Sequence, residues 1–309
     1  MSELVFDDSF PVTLKKAAEK ILNANLKVGE KFKSADSYSY LLESEDGKYV
    51  GKIFRFEHWP PPGKLEQIHG LLKQHNIPHE EILYSSYDHP IFKNGWQISK
   101  YIPGGTARSL RDERNWSKKE YLVELGKLLR QVHQIKLDYF GALHEQKERF
   151  DSFEKFALAE LDEQDFSDLP AEYSWALEII NQAKKEVAKN LNKFLWEDST
   201  LVHDDANDRN VMWQNGKPIL IDWVDSLAGP PTRDFATLTF RENDSILNAI
   251  EEGYGKAIDQ DKLRLHQIMR FIRLGRFFYF EDKDIDELHK MMERLKQLLS
   301  QEKPYGAYS

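Results

Sequence analysis

The 309-residue chain carries 43 basic and 52 acidic side chains, a net charge of -9, with 40% hydrophobic and 12% aromatic residues and no cysteine. That length favours two lobes over a single core. The acidic balance disfavours a nucleic-acid partner, and the lack of cysteine excludes disulfides, thiolate catalysis and Cys-based zinc sites.

The opening MSELVFDDSFPVTLKK has no basic flank leading into an apolar run, and no apolar segment approaches the length of a membrane span. The expectation is a cytoplasmic protein without a membrane partner.

Residues 11–25 place apolar side chains at helical spacing and predict a leading helix. Alternating runs at 27–33, 38–44 and 48–56 predict a small antiparallel sheet, with Asp46-Gly47 as a hairpin turn. After Pro60, Pro61, Pro62 and Gly63, the residues Leu65, Ile68, Leu71 and Leu72 share one helical face. A strand at 81–84, the Asn94-Gly95 turn and a strand over WQISKYI complete this half.

Pro103-Gly104-Gly105 then breaks the chain, and a lobe boundary is expected near 100–105. Helices are predicted at 117–135, within the acid-rich 146–175, at 170–195 and through 232–300. The expected class is α+β: a small antiparallel β lobe over 1–100 and a larger helical lobe over 101–309. The helical lobe would hold one hairpin.

That hairpin lies in HDDANDRNVMWQNGKPILIDW, residues 203–223. Asn215-Gly216 predicts a two-residue type I′ turn. In that register Gln214 faces Lys217 and Asn210 faces Ile221, so Asn210 and Asp222 emerge at the same open end. Asp205 lies just before it on a loop. An amide oxygen and a carboxylate so placed suit a hard cation such as Mg²⁺, completed by waters and phosphate oxygens. A second carboxylate, Asp205, can orient a hydroxyl and accept its proton. His203, Asp205 and Asn210, followed by Asp222-Trp223, match the kinase spacing H-x-D-x-x-x-x-N with a later metal-binding Asp-aromatic pair. A lone D-x-x-x-x-N carries little weight. The ordered set, joined by a hairpin, carries the reading.

With HDDANDRN … LIDW in view, the chain resembles the aminoglycoside phosphotransferase and choline kinase group, whose members share the protein-kinase-like fold. The resemblance runs from about residue 27 to about 240. It implies a phosphotransferase that moves the γ-phosphoryl group of ATP or GTP to a hydroxyl of a small molecule. Asp205 would be the catalytic base, with His203 bracing its loop, and Asn210 and Asp222 would hold magnesium. Asp234, in TRDFATL, would anchor the helix behind the loop. In KYVGKIFRF, alternation puts Val50, Lys52 and Phe54 on one face, and the resemblance makes Lys52 the phosphate-binding lysine. Glu66, on the following helix, is its expected partner. In ISKYIPGG, the backbone of Ser99 and Tyr101 would meet the purine, with Ile53 and Ile98 sandwiching it.

The chain departs from the family pattern in its phosphate loop, at position 204 and at position 208, which is Asp where the family has Pro, and from the protein-kinase pattern at Val224. The phosphate loop KSADSYSY, 33–40, contains no glycine, so Ser34 and Ser37 would donate hydroxyls instead. Position 204 is Asp where the family has Gly, which is expected to raise the Asp205 pKa or attract a cationic acceptor. Val224 replaces the Gly of a kinase D-F-G, which argues against a regulated protein kinase.

For the acceptor, the acids Asp151, Glu154, Glu160, Asp162, Glu163 and Asp165 favour an aminoglycoside. Choline, homoserine, a sugar or a macrolide are alternatives. A choline cage would draw on Trp175, Trp196, Trp223, Phe277, Phe278 and Tyr279. A catalytically inactive kinase-like binding protein is the rival outside the enzyme class.

Overall fold

The computed structural model describes residues 3–34, 36–57, 59–111, 117–195, 197–239 and 246–300. Two compact units divide the chain, one of residues 1–113 with 208–224, the other of 114–207 with 225–309.

The chain begins in the first unit with α1 (Phe10–Leu22), β1 (Lys27–Phe32), β2 (Ser37–Glu43), β3 (Lys48–Phe54), α2 (Lys64–Gln74), β4 (Ile82–Ser86), β5 (Trp96–Lys100) and β6 (Gly105–Thr106). The second unit takes α3 (Lys118–Val132), β7 (Phe140–Gly141), β8 (Arg149–Phe150), α4 (Phe153–Glu163), α5 (Ser174–Asn190) and β9 (Thr200–Val202). Strands β10 (Val211–Gln214) and β11 (Lys217–Leu220) return to the first unit. The second then closes with β12 (Leu227–Gly229), α6 (Thr232–Thr239), α7 (Leu247–Tyr254), α8 (Gln260–Arg276) and α9 (Ile285–Ser300).

The first unit is built on an antiparallel sheet of order β1-β2-β3-β5-β4. Helix α1 starts at Phe10-Pro11, where proline's missing N–H costs nothing, and buries Phe10, Leu14 and Ala18 along one face. Those residues share a core with Tyr40, Leu42, Ile53, Trp96 and Ile98. A Cβ on Gly51 would come within 2.8 Å of Leu14, so β3 lies directly against the helix.

Pleating sends the alternate side chains of β3 to the opposite face. Ile53 and Ile98 are 0% exposed in the α1-side core. They therefore do not sandwich a purine as expected. Lys52 faces the other way, with Ser39 and Gln97 as its cross-strand partners.

The hairpin takes the register its turn predicts, Gln214 opposite Lys217 and Val211 opposite Leu220. Asn215 (φ 52°) and Gly216 (φ 75°) supply the left-handed pair of a type I′ turn. Expected in the second lobe, the hairpin packs with the first, because Met212 pairs with Thr106 and Trp213 with Gly105. Gly104 (φ 112°) permits this approach; a Cβ there would sit 2.5 Å from the Trp213 carbonyl oxygen.

The second unit is mostly helical around one large core. Phe153, Phe156 and Leu161 of α4, Ile180 and Val187 of α5, Leu265, Ile268 and Ile272 of α8, and Leu288, Met292 and Leu295 of α9 all belong to it. Its small sheet has the order β8-β7-β12-β9. All three β9 residues are buried, and the chain leaves that strand directly into His203. An antiparallel sheet lobe and a helical lobe are thus both present, the α+β arrangement expected. No helix among the described residues is long and apolar enough to cross a membrane.

Candidate active site

In the first unit the site grows from Lys52, near the end of β3 and largely covered by its neighbours. Its Nζ lies 3.6 Å from Glu80 Oε2 and 3.9 Å from Asp222 Oδ1. Burial pulls the ammonium pKa down, but Glu80 and then Asp222 outweigh it, and the net value is raised. Burial pushes the Glu80 carboxyl up, and Lys52 foremost overcomes it, leaving Glu80 below its ordinary value. Lysine and carboxylate are therefore both charged near neutral pH.

Glu80 does a second task. Its Oε1 accepts the Asp222 backbone N–H at 3.1 Å. A parallel bridge between His79 and Leu220 brings the two segments together. Asp222 itself adopts a left-handed backbone (φ 63°), and the Glu80 hydrogen bond helps hold that turn. The expected partner of Lys52, Glu66, is exposed instead. On α2 the buried stripe is Leu65, Ile68 and Leu72, and the 100° step from Leu65 to Glu66 turns the acid toward solvent.

Ser34, Ser37, Lys52, Glu80, Gln97 and Asp222 line one pocket. Ser37 Oγ lies 3.1 Å from Ser34 Oγ and 2.7 Å from Ser39 Oγ. Hydroxyls thus line part of this pocket. The hinge residues behave less as expected. Ser99 lies in the sheet interior, opposite Val50 on one side and Ile82 on the other. The Tyr101 N–H donates to the Lys48 carbonyl at 3.0 Å. Both backbones are used by the sheet or its extension.

Asn210 leaves the open end of the hairpin, where its carbonyl accepts the Ile221 N–H at 2.9 Å. Its side chain and that of Asp222 are hard oxygen donors. No group of three or more His, Cys, Asp or Glu side chains is gathered for a metal among the described residues. Two hard donors suffice for an ion that keeps most of its shell as water and phosphate.

The second unit holds the loop 203–207. His203 is 0% exposed, and its Nδ1 accepts the Asp205 N–H at 3.3 Å. Asp234, also 0% exposed, anchors the loop. Its Oδ2 accepts the His203 N–H at 3.1 Å and faces His133 Nε2 at 3.0 Å, while its Oδ1 accepts the Asp204 N–H at 2.7 Å.

Asp204 does not face outward beside Asp205, as expected. It is 3% exposed and turned inward. Arg233 donates to it through Nε at 3.1 Å and Nη2 at 3.0 Å, and Arg273 through Nη1 at 2.6 Å. Arg233 also grips Glu160 at 2.8 and 2.9 Å. Burial pushes the Asp204 carboxyl up, yet Arg233 and then Arg273 drive it far below the carboxylate range. Its charge is consumed internally and is not available to a cationic acceptor. Asp205 meets a different arginine: Arg270 donates to Asp205 Oδ1 at 3.0 Å and to the Asp204 carbonyl at 2.9 Å.

Among the acids expected to recognise an amine, Glu160 is thus occupied by Arg233, and Asp151 pairs with Lys155 at 2.7 Å. The aromatic candidates are dispersed in role. Trp223 is 0% exposed with its Nε1–H on the Leu220 carbonyl at 3.0 Å, Trp175 packs on His289, and Tyr279 on Tyr173. Trp196 lies outside the described residues. Four functional candidates went unread in the sequence: Glu80, Arg233, Arg270 and Arg273. The arginines of α8 did leave a trace, recurring every three residues in the otherwise apolar RFIRLGR.

Fold and site define a kinase-like phosphotransferase, and comparison with known proteins makes the class specific. The chain belongs to the phosphotransferase enzyme family, whose model matches residues 29–268, and it is a small-molecule kinase. No curated protein matches it by sequence. Solved structures match in fold. A thermostable mutant of aminoglycoside phosphotransferase APH(4)-Ia, in ternary complex with ADP and hygromycin B, is 15% identical with a TM-score of 0.73, over 96% of this chain and 100% of that one. Spectinomycin phosphotransferase APH(9)-Ia, with ADP and spectinomycin, is 14% identical with a TM-score of 0.63, over 93% and 97%. APH(2″)-IIa in complex with gentamicin is 20% identical with a TM-score of 0.64, over 95% and 97%.

Proposed function

We propose that this kinase moves the γ-phosphoryl group of ATP, or of GTP, to a hydroxyl of a small polyhydroxylated amine of the aminoglycoside class. The observation that carries the reading is the lysine–carboxylate group of Lys52, Glu80 and Asp222, with Asn210 at the same end of the hairpin as Asp222. Lys52 would bind the phosphates, with Ser34 and Ser37 donating hydroxyls to them. Asn210 and Asp222 would hold Mg²⁺, which supplies charge neutralisation on the phosphate oxygens when bound. Asp205 would orient the acceptor hydroxyl. The acceptor oxygen then forms its bond to the γ-phosphorus, and the bridging β–γ oxygen leaves with its electron pair on the nucleoside diphosphate. The hydroxyl proton passes to Asp205. Positioning and charge neutralisation would supply most of the acceleration.

The fold-related enzymes above, named for or bound to hygromycin B, spectinomycin or gentamicin, favour an amine-bearing acceptor.

The test is release of nucleoside diphosphate from Mg-ATP or Mg-GTP with hygromycin B, spectinomycin, gentamicin, choline, homoserine and simple sugars as acceptors. An amine-bearing polyol should stimulate release, and Asp205→Ala should lower kcat by several orders of magnitude with nucleotide affinity nearly unchanged. Equal turnover in wild type and Asp205→Ala would refute the role of that carboxylate, and stimulation by choline or sugars alone would refute the acceptor class.

A further inference from the structure

We propose that Arg270 is a positioning residue for phosphoryl transfer, acting by fixing the Asp205 carboxylate; this rests on the function proposed above. Three arginines, Arg233 buried and Arg270 and Arg273 half-buried, approach loop 203–207, and their donors are divided. Arg233 and Arg273 are directed at the Asp204 carboxylate. Arg270 spends one nitrogen on the Asp204 carbonyl and another on Asp205 Oδ1. A guanidinium that only neutralised Asp204 would have no reason to straddle the next residue.

That geometry has a specific consequence. The Asp205 amide is held by His203 Nδ1, and the Asp204 amide by Asp234, which fixes the loop backbone. A carboxylate on a fixed backbone still turns about its own side-chain bonds. A planar, two-donor guanidinium anchored to the neighbouring carbonyl removes that freedom. Displacing a reacting group by about 1 Å costs a hundredfold in rate, so a locked carboxylate is worth a half-buried cation. Lysine cannot reproduce the lock, because a single ammonium does not present two parallel donors to two acceptors.

The function also predicts how Arg270 couples to its target, and that separates positioning from mere support. Steady-state hydrolysis of Mg-ATP, with water as the acceptor, is measured for wild type, Arg270→Met, Arg270→Lys, Asp205→Ala and both double variants. Arg270→Met should lower kcat about 10- to 100-fold, with the KM for Mg-ATP within about twofold of wild type. Arg270→Lys should fall between the two. In the Asp205→Ala background neither change should lower the residual rate further. The same fold-loss with and without Asp205 would show a structural role and overturn the proposal, as would wild-type kcat in both Arg270 variants. Should Arg270→Met fail to fold, Arg270→Lys carries the same comparison. A wild-type enzyme that releases no nucleoside diphosphate from Mg-ATP or Mg-GTP, with water or with any acceptor of the panel above, would instead bring down the proposed function and this inference with it.

Discussion

Glu80 holds Lys52 from a segment just ahead of β4, with 3.6 Å between Oε2 and Nζ, and the same carboxylate receives the Asp222 N–H. One acid therefore links the proposed phosphate-binding lysine to a proposed metal ligand. Removing it affects both. Glu80→Ala should raise the KM for Mg-ATP and lower kcat/KM at least tenfold, whereas Glu66→Ala should leave both as in wild type. Breaking a buried ion pair by deleting one partner also costs about 3–5 kcal/mol in general. Thermal melts of the variant should show that loss, and initial-rate kinetics the other. A Glu66→Ala phenotype equal to that of Glu80→Ala would reverse the assignment.

Asp204 gives a second prediction, in which two effects oppose. Its backbone is left-handed (φ 59°), a conformation that costs a non-glycine residue about 1–2 kcal/mol. Glycine would relieve that strain. It would also leave Arg233 and Arg273 facing a vacated, buried site, a loss of about 3–5 kcal/mol. The lost pairing outweighs the relieved strain, so Asp204→Gly should lower Tm, and Asp204→Asn should lower it as well by removing the charge alone. A stabilised Asp204→Gly would mean that the arginines re-pair without cost.

These residues also mark how far the sequence could be read. The hairpin register was legible because Asn215-Gly216 permits few turn types, and the turn sets every pair behind it. Period-two alternation marked Lys52 as a charge in an apolar run, but its expected role came from the family resemblance and the downstream hairpin. Glu80 was not legible, because its place depends on the bridge between His79 and Leu220, a pairing between distant segments that leaves no local pattern. The Asp204 arginines were hidden for the same reason: α6 and α8 deliver them from 29 and 69 residues away. Adjacency in sequence suggested that Asp204 and Asp205 act together, but a left-handed residue turns their side chains to different partners.

Acid should destabilise the first unit through His69. Burial lowers this imidazole to about 4. Glu80 opposes that shift, while His79 and Lys52 assist it. The unfolded chain binds a proton near the ordinary value of about 6.5, where the folded chain does not. Stability is therefore complete above that value and falls as pH drops from 6.5 toward 4, by on the order of 3 kcal/mol. His266 in the second unit, lowered well below its ordinary value by burial and then by Arg233, adds a decline of the same sign. Denaturant unfolding at pH 7, 6 and 5 should show a smaller slope in His69→Leu than in wild type. Parallel slopes would remove His69 from the account.

Helices α3 and α7 meet at Gly126 and Gly253, and the fit leaves no room for a side chain. A Cβ on Gly253 would stand 1.8 Å from the Val123 carbonyl oxygen, and one on Gly126 would stand 2.3 Å from that of Ile250. Both obstacles are backbone, so neither can swing aside as a flexible side chain would. Helix propensity alone would make Gly→Ala favourable by about 1 kcal/mol in an exposed helix. Here the helices would have to separate, and overpacking of this kind costs about 1–3 kcal/mol or more. Gly253→Ala should therefore lower Tm, and Gly126→Ala should do so less. Because α3 and α7 carry none of the candidate nucleotide-site residues, the KM for Mg-ATP should stay at the wild-type value below the melting transition. Gly→Ala stabilisation at either position would show that the two helices pack less closely than this.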